Sequence, residues 1–182
     1  MHVGQIYNSD CANGTGIRIS LFVSGCTIHC PECFNSQTWD FHFGVPYDEK
    51  IENLILNELR KDFYEGITIL GGEPFEPSNQ ETLVQLVRRI RKELPQKNIW
   101  MFSGYVYDRD LIPGGKRHTP YTDEILDSIA VLVDGPFMAA KRNIALRFRG
   151  SENQRIIDMP QTRKAGKVVL HPAMQSALES SL

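Results

Sequence analysis

From residue 17 the chain takes on a regular alternation. Ile17, Ile19, Leu21 and Val23 alternate with Arg18, Ser20 and Phe22, the two-residue period of a strand. Residues 1–16 before it are polar and glycine-containing, and Asn13-Gly14-Thr15-Gly16 signals a turn. After residue 48 the period lengthens. Ile51, Leu54, Ile55, Leu59 and Phe63 recur at helical spacing, with Glu52, Glu58, Arg60 and Lys61 on the wet side, so a helix is predicted to begin at Asp48. Gly66 closes a turn, and Ile67-Thr68-Ile69-Leu70 reads as a short buried strand. Ser78 and Glu81 have the spacing of a capping box. Leu83, Leu86, Val87, Ile90 and Leu94 then give a second helix one apolar face, and Pro95 stops it. A third strand is predicted over 98–102, a short helix over 122–129 and a fourth strand over 130–133. Residues 146–149 and 155–159 read as edge strands.

Strand, helix, strand, helix, strand with short connections is the pattern of a parallel α/β fold. The 182 residues suit a single domain over 1–182 with a proper core. They are too few for eight βα units, which take ~250 residues. The expected fold is a partial, open parallel (β/α) barrel of five to six strands. In such folds ligands bind beyond the carboxyl ends of the strands. Polar, glycine-bearing segments fall there: the turn after Val23, Gly71-Gly72-Glu73, Ser103-Gly104 and Asp134-Gly135.

Composition excludes more than it suggests. A net charge of −2 and one short basic run, Lys116-Arg117-His118, give no reason to expect a nucleic-acid partner. Met1-His2-Val3-Gly4 lacks the features of a signal peptide, and no apolar run approaches the ~20 residues of a membrane span. The chain is expected in the cytoplasm, where thiols stay reduced.

The candidate chemistry is concentrated in Cys26-Thr27-Ile28-His29-Cys30-Pro31-Glu32-Cys33, which holds three of the four cysteines. Thiolates are soft ligands for zinc and for iron–sulfur clusters. Three of them on a [4Fe–4S] cube leave one iron open to a small molecule; with His29 added, the same residues would close a Cys3His zinc site. Cys11 stands alone and reads as a small buried or inert thiol, with a fourth ligand as the alternative. Glycines at the end of the second strand let backbone approach a ligand, Glu73 can accept hydrogen bonds from an ammonium group, and Asp134 is a second acceptor.

The spacing C-x3-C-x2-C resembles the cluster motif of radical S-adenosylmethionine (SAM) enzymes. Several segments extend the likeness in order: Gly14-x-Gly16-x-Arg18, Ser24-Gly25-Cys26 to Phe34-Asn35, Gly71-Gly72-Glu73-Pro74, Val133-Asp134-Gly135-Pro136-Phe137 and Arg149-Gly150-Ser151-x-Asn153-Gln154-Arg155. They resemble the family of activating proteins for anaerobic ribonucleoside-triphosphate reductase, over about residues 13–159, with 160–182 as a C-terminal extension. The resemblance implies one [4Fe–4S] cluster on Cys26, Cys30 and Cys33, with SAM held by Glu32, Cys33, Phe34, Gly71, Gly72, Glu73, Ser103 and Asp134. No further catalytic side chain is implied. It also implies reductive SAM cleavage, a glycyl radical made on the reductase large subunit, and a low-potential electron donor of flavodoxin or ferredoxin type. Two positions depart from related enzymes: Glu32 stands where an aromatic often precedes the third cysteine, and Pro136 where several activases carry a lysine, leaving Arg155 as a candidate partner for the SAM carboxylate. A small radical SAM enzyme acting on a deazapurine-type molecule and a non-catalytic iron–sulfur or zinc protein are the alternatives. Residues 105–121, with Tyr105, Tyr107 and Tyr121 around Lys116-Arg117-His118, are expected to dock the reductase.

Overall fold

The computed structural model describes residues 1–174; the remainder of the predicted extension, 175–182, lies outside the described residues. The elements run β1 (His2–Asp10), β2 (Ile17–Val23), β3 (Val45–Pro46), α1 (Glu49–Leu59), β4 (Tyr64–Gly71), α2 (Pro77–Glu93), β5 (Asn98–Phe102), α3 (Thr122–Ser128), β6 (Val131–Asp134), β7 (Arg155–Asp158) and α4 (Met159–Ala165). The strands form one sheet in the order β3-β1-β2-β4-β5-β6-β7. Its centre, β2-β4-β5-β6, is parallel, as the alternation of strands and helices predicts. Its margins are not. β1 returns antiparallel along β2, β3 pairs antiparallel with β1, and β7 pairs antiparallel with β6. The expectation of five to six parallel strands is corrected to an open, mixed sheet of seven.

The two faces of the sheet differ. On one, Ile19, Leu21, Val23, Ile67, Ile69, Ile99, Met101 and Leu132 pack against Ile55, Leu56 and Leu59 of α1, Leu83, Leu86, Val87 and Ile90 of α2, and Ile125 of α3. The opposite face carries a smaller cluster, Trp100, Val131, Val133 and Ile156, with Phe148, Ala173 and Met174 packed on it. Arg18 is fully buried, donating to Thr68 Oγ1 (2.8 Å) and the Ile67 carbonyl (2.8 Å), with its guanidinium 5.3 Å from the centre of a Trp100 ring. Burial pulls its pKa down to about 10.

Local details refine the predicted elements. Asp48 caps α1 as expected, accepting from the Ile51 amide at 2.9 Å. The buried face of α1 is rotated from the predicted one: Glu52 and Leu56 turn inward, while Leu54 and Phe63 are exposed. Glu52 is accommodated because Arg89 of α2 and the Tyr47 hydroxyl donate to its carboxylate at 2.7 and 2.9 Å. The capping box does not form. The N-cap is Glu76, Pro77 supplies the pre-set φ of the first turn, and Ser78 and Glu81 are exposed. Residues 146–149 lie outside the named strands, whereas 155–158 is β7. No helix among the described residues is long and apolar enough to cross a membrane.

Candidate cluster and cofactor site

The parallel strands end on one side of the sheet, and the sequence motifs converge there. Cys26, Cys30, Cys33, Glu32, Phe34, Gly71, Gly72, Glu73 and Ser103 all line one cavity of about 610 Å³. Its far wall comes from Phe137, Arg142, Ile144, Phe148 and Arg149. Phe137 and Arg149 belong to segments that carried the family resemblance, without a predicted place in the site, whereas Arg142, Ile144 and Phe148 carry no sequence signal.

The cysteine loop is anchored at its base. The Gly25 amide donates to the Thr38 carbonyl (2.8 Å), the Cys26 amide to that of Trp39 (3.2 Å), and the Glu73 amide to that of Gly25 (2.8 Å). Within the loop His29 and Glu32 adopt left-handed backbone, with φ of 51° and 57°. Such conformations are costly for non-glycine residues and cluster at functional sites. Cys26 is buried, Cys30 and Cys33 are half-buried, and all are free thiols. Burial pushes the Cys26 thiol up to about 11, against backbone donors at Ile28 and His29; it raises Cys30 as well. Thiols are soft donors that suit a metal centre, and coordination there would displace their protons. Cys11 is exposed.

The His29 ring is stacked on Trp39, centroids 4.5 Å apart, which gives it a packing role. Among the described residues no three His, Cys, Asp or Glu side chains stand close enough to share a single metal ion. The three thiols therefore border the cavity without converging on one point.

The glycine pair has a packing reason of its own. A Cβ on Gly72 would lie 2.6 Å from the Gly25 carbonyl oxygen and 2.9 Å from that of Thr38. Gly71 has φ +112° and its Cβ would meet Val23 backbone at 2.7 Å. Both glycines let the end of β4 close on the root of the cysteine loop, a packing requirement that stands beside the predicted ligand contact, since both also line the cavity. Glu73 is wholly buried. Its carboxylate accepts from the Phe75 amide (2.9 Å), the Ser103 hydroxyl (2.9 Å) and the Gly104 amide (2.7 Å). Burial lifts its pKa to about 7 against those three bonds. Ser103 thus serves Glu73, and one lone-pair direction of the Glu73 carboxylate remains for a further donor.

Asp134 is buried with its carboxylate engaged elsewhere. Arg155 donates to it at 2.9 and 2.5 Å, and the Tyr107 amide at 2.7 Å. Arg155 also bonds Asp108 (2.9 Å), so both the predicted acceptor and the suggested carboxylate partner are committed to each other. Arg149 spends its guanidinium on the carbonyls of Gln154 (3.0 Å), Glu152 (3.3 Å) and Met174 (3.3 Å). Tyr105 and Tyr107 are 3% and 8% exposed, so the docking surface expected of residues 105–121 lacks two of the three tyrosines that suggested it; Tyr121 is half-buried.

A protein-family model described as a 4Fe-4S single cluster domain matches residues 12–157, a range that contains every residue lining the cavity. The anaerobic ribonucleoside-triphosphate reductase-activating protein of Haemophilus influenzae is 40% identical over 156 residues, covering 85% of this chain and 96% of that one. The protein of the same name from Escherichia coli K12 is 38% identical over the same shares of both chains. That of Enterobacteria phage T4 is 31% identical over 160 residues, 86% of this chain and 93% of its own. With this similarity running almost end to end, the chain belongs to the family of anaerobic ribonucleoside-triphosphate reductase-activating proteins.

Proposed function

We propose that the chain is a radical SAM activase, which makes a glycyl radical on an anaerobic ribonucleoside-triphosphate reductase with electrons from a low-potential donor. One observation carries the reading: the three thiols and the Gly71–Glu73 turn line a single cavity at the carboxyl ends of the parallel strands, in a member of this family. Cys26, Cys30 and Cys33 would hold a [4Fe–4S] cluster. When bound, cluster and SAM together supply one-electron cleavage of a sulfonium C–S bond and the carbon radical that takes a hydrogen atom from a glycine Cα.

The residues of the chain bind, orient and shield. Glu73 stands ready to accept from the SAM ammonium on its remaining lone pair. Phe34, 86% exposed, and Ile144, 92% exposed, lie at the open rim, where the glycine of a partner has to enter. Phe102, Phe137 and Phe148 keep the wall apolar, which excludes water from a reactive centre. The test mixes reduced protein, SAM and the reductase anaerobically and looks for a glycyl radical by electron paramagnetic resonance. Wild type and Cys11→Ala should give the signal, and Cys30→Ala should give neither signal nor bound iron. A cluster retained by Cys30→Ala, or no radical from an iron-loaded wild type, would overturn the assignment.

A further inference from the structure

The His29 ring stacks on Trp39 and the Cys30 thiol meets the Phe137 backbone, but the nitrogen and oxygen hydrogen bonds that tie the middle of the cysteine loop to the fold gather at one residue. Thr27 follows Cys26, and its amide and hydroxyl both donate to Glu76 Oε1, at 2.9 and 2.6 Å. Among the described residues no other nitrogen or oxygen of positions 27–32 hydrogen-bonds to another part of the fold. Glu76 is the N-cap residue of α2 and is 2% exposed. The same oxygen accepts a third bond, from the Tyr105 hydroxyl at 3.0 Å. Arg117 completes the group. Its Nε donates to Tyr105 Oη and its Nη2 to Thr27 Oγ1, each at 2.6 Å. Its guanidinium also lies 3.6 Å from Glu76 and 5.0 Å from the centre of the Tyr105 ring. Backbone bonds fix Arg117 in turn, since its amide donates to the Asp110 carbonyl (2.9 Å) and its carbonyl accepts from Gln80 of α2 (2.9 Å).

We infer that Arg117 is a positioning residue for the thiol loop, acting through Thr27 and Tyr105. The inference rests on the proposed function only for what the loop carries; the clamp itself is a property of the chain. Thr27 is bonded directly to Cys26, and its other neighbour, Ile28, lines the cavity. Fixing Thr27 therefore fixes the sulfur on one side and the cavity floor on the other. The buried Glu76 carboxylate would otherwise stand in low dielectric without a cation, and Arg117 is the group that neutralises it. Two acceptors on different elements are reached by one planar fork, a geometry that lysine does not reproduce. The segment between β5 and α3, expected to dock a partner, thus reaches back to hold the cysteines.

The experiment uses the full chain, iron-free and reconstituted. Amide exchange across residues 26–30 is followed in the iron-free protein, and the rate of iron loss to a chelator and the resonance spectrum of the reduced cluster in the loaded one. Arg117→Gln and Arg117→Lys should both speed exchange at Thr27 and iron loss by about tenfold, the factor that one charge-assisted hydrogen bond supplies. Thr27→Val should do the same, Thr27→Ser should match wild type, and Arg117→Gln combined with Thr27→Val should go no further than either alone. Full rescue by lysine, wild-type exchange in Arg117→Gln, or an undiminished effect of Arg117→Gln in the Thr27→Val background would overturn the inference. A wild-type chain that takes up no iron would instead sink the proposed function, and the exchange comparison would still decide the clamp.

Discussion

Gly72→Ala adds one methyl group at the point where the two halves of the site meet. The new Cβ would be 2.6 Å from the Gly25 oxygen and 2.9 Å from the Thr38 oxygen, both main-chain atoms. Neither can rotate away. The Gly25 carbonyl is held by the Glu73 amide at 2.8 Å, and the Thr38 carbonyl by the Gly25 amide at 2.8 Å. Overpacking of this kind costs about 1–3 kcal/mol, and straining two hydrogen bonds of ~1 kcal/mol each moves the expectation to the upper half of that range. For a chain of this size such a loss lowers the melting temperature by roughly 4–12 °C. The displaced carbonyl belongs to the residue before Cys26, so iron retention after anaerobic reconstitution should fall with stability. Gly104→Ala is the control. Its Cβ would press on Ile28 Cδ1 at 2.5 Å, a methyl group that can swing aside, and its next contact is at 3.6 Å. The control should lose less than about 1 kcal/mol. Thermal melts of the iron-free protein and iron analysis of the loaded protein read both effects. A Gly72→Ala melting curve superimposable on wild type, with full iron, would refute the packing account and return the glycine to a ligand-contact role.

Two further outcomes follow from buried charge. Glu73 has a folded-state pKa of about 7 against an ordinary 4.5, so the fold prefers its protonated form. Its contribution is complete below pH 4.5 and is lost as pH rises through 7, by about 3 kcal/mol; Glu73→Gln should flatten denaturant midpoints across that window, and an unchanged slope would show that another group is responsible. Arg155→Ala leaves the Asp134 carboxylate, itself 1% exposed, without its cation and should cost about 3–5 kcal/mol. Asp108→Ala removes only the partner that is 52% exposed and should cost less than about 1 kcal/mol; equal losses in chemical denaturation would contradict the buried-pair reading.

The parallel centre of the sheet was legible because β2, β4, β5 and β6 each place apolar residues in a short run between turn signals. β1 was not, since His2–Asp10 mixes Val3 and Ile6 with glycine and polar residues and leaves most of its positions exposed or half-buried. Its pairing comes from β2, not from its own pattern. The α1 face was misread by a fraction of a turn because Glu52 has a partner on α2, 37 positions later in sequence, that no local window contains. For the site, the cysteine spacing and the strand ends brought one part of the cavity lining into view, from the thiol loop to Gly71–Glu73 and Ser103–Gly104. Two expected ligand contacts meet competing partners for one reason: residue type shows what a group can bind, while the partner it has bound lies far along the chain. Asp134 is taken by Arg155, 21 positions on, and the paired glycines are taken up by main chain near Cys26. The Thr27–Glu76–Tyr105–Arg117 group spans 90 residues and has no signature shorter than the fold.

The segment after α4 runs along the outer side of β7. Asp158 donates to the Val169 carbonyl (2.9 Å), Leu170 bridges to Ile157, and the His171 amide reaches the Ile156 carbonyl (2.8 Å). On the opposite margin β3 shields β1 only at His2 and Val3. The two borders of the sheet therefore differ in how they would meet another polypeptide. The β7 border is already occupied by the chain's own backbone, whereas among the described residues β1 beyond Val3 has no strand on its outer side, and it is broken by irregular pairing and by Ser9 at φ 59°. Strand-to-strand association, whether in a specific assembly or in the clumping of partly unfolded molecules, has a direction built into it: it starts from β1.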